Sequence, residues 1–183
     1  GILVPGGFGD RGIEGMICAA NFARVNNIPY LGICLGMQIA VIEFARNVLG
    51  MKNATSTEFD KFTTYPVIAL MIDQYGNIPL GGTMRLGAYP CKIKENTMMA
   101  KSYESLNISE RHRHRYEFNN NYRKDFIKAG MIIGGTSPDG TLVEAIEIPE
   151  NKFFVGVQYH PEFKSRPNRA NPIIKGFIKE TIK

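Results

Sequence analysis

Ile28-Pro29-Tyr30-Leu31-Gly32-Ile33-Cys34-Leu35-Gly36-Met37-Gln38 is the stretch that decides the fold. It reads as a buried strand running into a glycine-flanked cysteine and then a helix. A cysteine between two glycines matches the form of a nucleophile elbow, in which a sharp turn lifts the reactive atom above the end of a sheet. Such a turn is strained, and a side chain at Gly32 or Gly36 would collide with neighbouring backbone. Downstream, Met37, Ala40, Val41, Phe44, Ala45 and Val48 recur at the spacing of an amphipathic helix. Cys34 is therefore expected at a helix N-terminus, where unpaired N–H groups and the helix dipole lower cysteine pKa values from about 8.5 to roughly 3.5–7.5. Taken alone, the same residue also fits a small buried hydrophobe that merely packs.

Upstream, Gly1-Ile2-Leu3-Val4-Pro5-Gly6-Gly7-Phe8-Gly9 is a short apolar run stopped by proline and glycines, the form of a strand end opening into a tight loop. Loops at the carboxyl ends of parallel strands are where ligands bind in open α/β sheets, and Gly6 or Gly7 could offer a backbone N–H to an oxyanion. Ile13, Met16, Ile17, Ala20 and Ala23 predict a helix that Asn26-Asn27 ends. Strand, helix, strand, elbow, helix is the alternation of an open, mainly parallel α/β sheet flanked by helices.

Beyond the elbow helix, residues 53–64 read as a polar loop carrying Glu58, and 67–72 as a strand. Gly76-Asn77 marks a turn, and residues 81–87 read as a mobile glycine-bounded loop containing Arg85 and Leu86. The basic run Arg111-His112-Arg113-His114-Arg115-Tyr116, if extended, sends its arginines to one face and its histidines to the other. It suits an anion clamp, since guanidinium offers a rigid fork of donors, and equally a solvated basic strand. A helix over 122–129 closed by Gly130 and strands over 131–134, 142–148 and 153–158 follow, with Ser137-Pro138-Asp139-Gly140 as a turn. The last strand ends in Tyr159-His160-Pro161-Glu162-Phe163. Pro161 holds His160 extended, and residues two apart in an extended segment face the same way, so His160 and Glu162 meet as a base and its orienting carboxylate. Ile173, Ile174, Phe177, Ile178 and Ile182 predict a closing helix.

At 183 residues, 44% hydrophobic and 21% charged, the chain suits one globular domain, residues 1–183. No apolar run approaches a membrane span, and no signal peptide is visible. Cys18, Cys34 and Cys91 give neither a disulfide framework nor metal-ligand spacing, so no metal is expected and a reducing, cytoplasmic setting fits. The net charge of +5 is spread along the chain, and the one basic run, short and with little aromatic interleaving, makes a poor nucleic-acid patch.

With the elbow and His160-Pro161-Glu162 both in hand, the chain resembles the glutaminase domain of class I glutamine amidotransferases, and within these the CTP synthases. Val4-Pro5-Gly6-Gly7-Phe8-Gly9, Leu31-Gly32-Ile33-Cys34-Leu35-Gly36-Met37-Gln38, Asn53-Ala54-Thr55-Ser56-Thr57-Glu58-Phe59, Leu80-Gly81-Gly82-Thr83-Met84-Arg85-Leu86-Gly87, Arg111-His112-Arg113-His114-Arg115-Tyr116 and His160-Pro161-Glu162-Phe163 occur in the order seen in that group. The resemblance implies Cys34 as nucleophile, His160 as base and acid, Glu162 as its partner, and the N–H groups of Gly7 and Leu35 as oxyanion hole. It also implies L-glutamine bound by Gly7, Leu35, Gly36, Met37, Gln38, Glu58 and Arg115, and a response to the activator GTP near Arg85 and Leu86. No cofactor is implied for this domain. ATP, UTP and Mg belong to a synthetase domain of the same polypeptide, through which the family assembles, as tetramers, and which aminates UTP with the ammonia released. This chain has no phosphate loop for such a domain. The resemblance further implies sheet strands ahead of Ile2 and a longer charged segment near residues 78–80. Three other readings stay open: a different α/β cysteine hydrolase, a non-catalytic regulatory or assembly module, or a nucleic-acid-binding domain, which has only the one short basic run in its favour.

Overall fold

The computed structural model describes residues 1–70 and 84–182. The end of the expected strand at 71–72, the Gly76-Asn77 turn, the short segment at 78–80 and the glycines at 81–82 lie outside the described residues.

The expected alternation is present. β1 (Ile2–Val4) leads through a glycine loop into α1 (Ile13–Val25), capped at Asn26; β2 (Tyr30–Ile33) then runs into Cys34 and α2 (Leu35–Asn47). Next come β3 (Ala54–Ser56), β4 (Tyr65–Leu70), β5 (Arg85–Ile93), α3 (Met98–Tyr103), β6 (Asn107–His114) and β7 (Tyr116–Phe118). The chain ends with α4 (Arg123–Lys128), β8 (Ile132–Thr136), β9 (Val143–Glu147), β10 (Phe154–Val157) and α5 (Pro172–Thr181).

Seven strands form one sheet in the order β1-β2-β10-β9-β8-β5-β6, and β3-β4-β7 form a smaller one. The α/β architecture is as expected, with one correction: parallel pairing is confined to β1, β2 and β10, and the rest of the large sheet is antiparallel. The cause is connection length. A parallel pair needs a crossover such as α1, whereas β8 and β9 are joined by a tight turn in which the Gly140 N–H donates to Ser137 O at 2.8 Å.

Helix α2 also departs from its expected amphipathic form, being buried on every side from Leu35 to Ala45. It packs against β1, β2 and β10 of the large sheet and also against β3, β4 and β7 of the small one, so it has no solvent face. Within it Glu43, with no exposed surface, accepts from Arg24, Asn21 and Asn47. The opposite face of the large sheet is covered by α3 and α5 through Met99, Ile173 and Phe177.

Two loop expectations are also corrected. Residues 53–64 contain β3, which pairs parallel with β4. Arg85, Leu86 and Gly87 open the nine-residue strand β5 and are not a mobile loop. Arg85 pairs with His114 across the ladder, and β-sheet hydrogen bonding leaves it no loop freedom.

Candidate active site

Cys34 sits between β2 and α2 with φ 52° and ψ −101°, the strained conformation expected of an elbow. The flanking glycines are required by close approach. A Cβ at Gly36 would meet Val4 O, and one at Gly32 would lie 2.5 Å from the Gly36 carbonyl. The turn is tied down by Tyr30, whose buried hydroxyl donates to Gly36 O at 2.8 Å, and by Cys34 N donating to Val157 O at 2.7 Å.

β10 lies beside β2, so the residues following it arrive next to the elbow. His160 is extended at φ −109° and ψ 88°, and its Nδ1 lies 2.6 Å from Glu162 Oε1. That bond leaves Nε2 to face the interior, where it is buried without a partner among the described residues. The glycine loop closes the third side: a Cβ at Gly6 would stand 2.7 Å from His160 Cε1 and 3.6 Å from Cys34 Cβ.

A narrow cleft beside the elbow, about 30 Å³, is lined by Gly7, Phe8, Cys34, Gln38, Glu58, His114, Arg115 and Tyr116. These residues come from the glycine loop, the elbow, α2, the segment after β3 and the step from β6 to β7. Glu58 follows β3 and receives the Gly9 N–H at 3.1 Å, while Arg115 occupies the step where the chain leaves β6 and enters β7. The expected alternation holds through β6, with Arg111 and Arg113 exposed and His112 and His114 buried. It breaks at Arg115, half-buried, because the change of sheet turns the chain there. Leu35 closes against Gly7 with its side chain. Gly36 and Met37 stand behind the wall of the cleft: Met37 is fully buried against Gly156, since α2 presents only every third or fourth residue to one side.

One electrostatic expectation is reversed. Burial pushes the Cys34 thiol up to about 12, with Glu117, Glu162 and Glu58 adding to the rise and only the Leu35 N–H opposing it. Desolvation outweighs the helix terminus here and favours the neutral thiol.

Beneath the cleft lies a charged cluster that the sequence did not reveal. Arg85 donates to Glu144 at 2.7 Å and to Glu117 at 3.1 Å, all three side chains being buried. His114 Nδ1 faces Tyr116 O at 3.2 Å, a pure acceptor, so it carries the proton; its Nε2 then accepts from His112 Nδ1 at 2.8 Å. Burial, reinforced by Arg85, pushes His112 down to about 2 and His114 down to about 3. Burial pushes Glu117 up to about 8 against the pull of Arg85. A second missed residue is Gln158, fully buried, whose Nε2 lies 3.7 Å from Cys34 Sγ. Its position two residues before His160 was the available signal.

Among the described residues no group of three or more His, Cys, Asp or Glu side chains could hold a metal ion, and no helix is long and apolar enough to cross a membrane.

Comparison with known proteins shows the family. Residues 1–180 match the family described as glutamine amidotransferase class-I. The chain is 59% identical over its whole length to a CTP synthase of Staphylococcus haemolyticus and 62% identical over 98% of its length to one of Ruminiclostridium cellulolyticum. It spans only 34% and 33% of those relatives. Its fold superposes with a TM-score of 0.94 on the Trypanosoma brucei CTPS glutaminase domain with bound acivicin, at 44% identity, covering 99% of this chain and 70% of that one. A glutamine amidotransferase of Thermotoga maritima shares the fold alone, at 13% identity and a TM-score of 0.54, over 98% of this chain and 76% of that one. The chain belongs to the class I glutamine amidotransferases and, within them, to the glutaminase domains of CTP synthases.

Proposed function

We propose that this domain, residues 1–183, hydrolyses L-glutamine to glutamate and delivers ammonia to a synthetase domain of the same polypeptide, which uses ATP and Mg to aminate UTP to CTP. The observation that carries the reading is that Cys34 lines one cleft with an acidic and a basic side chain, Glu58 and Arg115, while His160, paired with Glu162, stands with Cys34 against Gly6 at the back of the elbow. The pair of Glu58 and Arg115 suits the α-ammonium and α-carboxylate of a free amino acid, and a hydrolase of other amides would have no use for it.

Glutamine enters with its carboxamide toward Cys34. His160 Nε2 takes the thiol proton as Sγ attacks the carboxamide carbon, and Glu162 steadies the imidazolium through Nδ1. The Gly7 and Leu35 N–H groups receive the oxyanion, each such donor contributing on the order of 3 kcal/mol. His160 then protonates the departing ammonia, and the water it next activates cleaves the thioester. Gly36 and Met37 serve by fixing the wall behind Leu35 and Gln38. A GTP response near Arg85 and Leu86 would reach the cleft through Glu117, the partner of Arg85 that adjoins Tyr116. Assembly as a tetramer through the synthetase domain and a cytoplasmic setting complete the proposal.

The test is glutamate release by the protein and by its Glu58→Ala and Arg115→Met variants. Both should raise KM for glutamine far more than they lower kcat; unchanged KM in both would remove the clamp and with it the glutamine assignment.

A further inference from the structure

The surroundings of Cys34 work against its chemistry: the nucleophile is buried, three carboxylates oppose its ionisation, and only one backbone N–H favours it. His160 can take the proton, but the charge left on sulfur still needs donors. Beside Sγ stands the side-chain donor Gln158 Nε2, at 3.7 Å, within hydrogen-bond reach of the larger sulfur atom.

The orientation of that amide is determined by its neighbours. Tyr116 O is a pure acceptor and receives Gln38 Nε2 at 3.1 Å. The second N–H of the same Gln38 group meets Gln158 at 3.3 Å, so the atom it meets must be Oε1. Gln158 Nε2 is thereby left pointing at sulfur. Gln158 has no exposed surface, and its backbone N–H donates to Glu144 O at 2.8 Å. Gln158 and His160 both follow the end of β10, which lies beside β2, so one strand end brings the base and this donor up to the elbow.

We propose that Gln158 is a thiolate-stabilising residue, held by Gln38 and Tyr116 so that its amide N–H bonds the Cys34 sulfur when that sulfur is anionic. The inference rests on the assignment of Cys34 as nucleophile. A neutral thiol is a weak acceptor and a thiolate a strong one, so the bond tightens as the proton passes from Sγ to His160 Nε2. The sulfur electron pair then forms the C–S bond of the thioester. When water cleaves that bond the pair returns to sulfur, the N–H of Gln158 receives it again, and His160 returns the proton.

The test reads the sulfur itself, by the pH profile of Cys34 alkylation with iodoacetamide, followed by peptide mass spectrometry with exposed Cys18 as internal reference. Gln158→Met, similar in volume but without the donor, should slow Cys34 alkylation at fixed pH by about tenfold and move the profile up. Gln158→Glu should move it further, since a carboxylate then faces the sulfur, and Cys18 should be unaffected in both. In the unaltered protein the Gln158 side-chain amide resonance should shift with the same midpoint as the Cys34 profile. An unchanged profile in either folded variant, or an amide signal indifferent to Cys34 ionisation, overturns the proposal. Because alkylation needs no glutamine, a shifted profile in a protein that never releases glutamate would sink the glutaminase reading and leave this inference standing.

Discussion

The two halves of the large sheet use their buried positions differently. In the parallel half, β1, β2 and β10 are apolar along their length and place their polar groups just beyond their carboxyl ends, at Gly6, Cys34, Gln158 and His160. In the antiparallel half, charged groups lie within the strands themselves: Arg85 on β5, Glu110, His112 and His114 on β6, Glu144 and Glu147 on β9. On the function proposed above, the first half carries the reacting groups, and the second carries charges whose loss would be structural. Burial of a titratable group therefore has opposite meanings on the two sides of β10.

Cys34→Ala should give the largest effect and the cleanest separation. Glutamate release should fall by roughly three orders of magnitude or more, while the urea midpoint stays near that of the unaltered protein. A large loss of stability would erase the contrast between the halves.

Arg85→Met attacks the other side. It leaves Glu144, and Glu117 wherever that carboxyl is ionised, buried without its cation, and breaking a buried pair in this way costs about 3–5 kcal/mol. Removing the carboxylates as well, in Arg85→Met/Glu117→Leu/Glu144→Leu, should restore much of that loss in urea unfolding. A single variant as stable as the original would mean that the cluster is not a structural device.

Gly36→Ala tests the junction of the two roles. Its Cβ would collide with Val4 O, so the elbow must shift, at about 1–3 kcal/mol by analogy with overpacked cores. Stability and glutamate release should fall together here, as they should at neither Cys34 nor Arg85.

The smallest effect is in pH. Glu117 is raised in the fold to about 8 from an ordinary value of 4.5, so it binds a proton more tightly folded than unfolded. Its contribution is complete below about pH 4.5 and is lost as pH rises through about 8. His112 and His114 are lowered, to about 2 and about 3 from 6.5, so theirs is complete above 6.5 and is lost as pH falls toward those values. Glu117→Gln should flatten the alkaline fall in Tm and leave the acid fall in place. An unaltered alkaline limb would show that Arg85 keeps Glu117 charged throughout.

Sequence and structure agree best where chemistry is local. The elbow glycines, the extension of His160 before Pro161 and the pairing of Glu162 all follow from neighbours along the chain, and so were legible. The alternation of β6 was legible too, but its break at Arg115 was not, because it depends on where a second sheet begins. Glu43 reads as a solvated helix residue until α1 is packed beside α2 and supplies Arg24 and Asn21. Arg85 reads as a loop cation until β9 brings Glu144 to it, some sixty residues away in the chain. Gln158 was visible only as the end of a strand. The direction of the Cys34 shift failed for the same reason: the helix terminus is local, whereas the desolvation that overrides it comes from the whole surrounding fold.

The most direct measurement is to incubate the protein with a glutamine analogue carrying an electrophilic diazo-ketone and to locate the adduct by mass spectrometry. A single adduct at Cys34 is expected, blocked by excess glutamine, absent in Cys34→Ala and slowed in Glu58→Ala. A folded protein in which Cys34 stays unmodified, or is modified at the same rate with glutamine present, would contradict the assignment of this cleft as a glutaminase site.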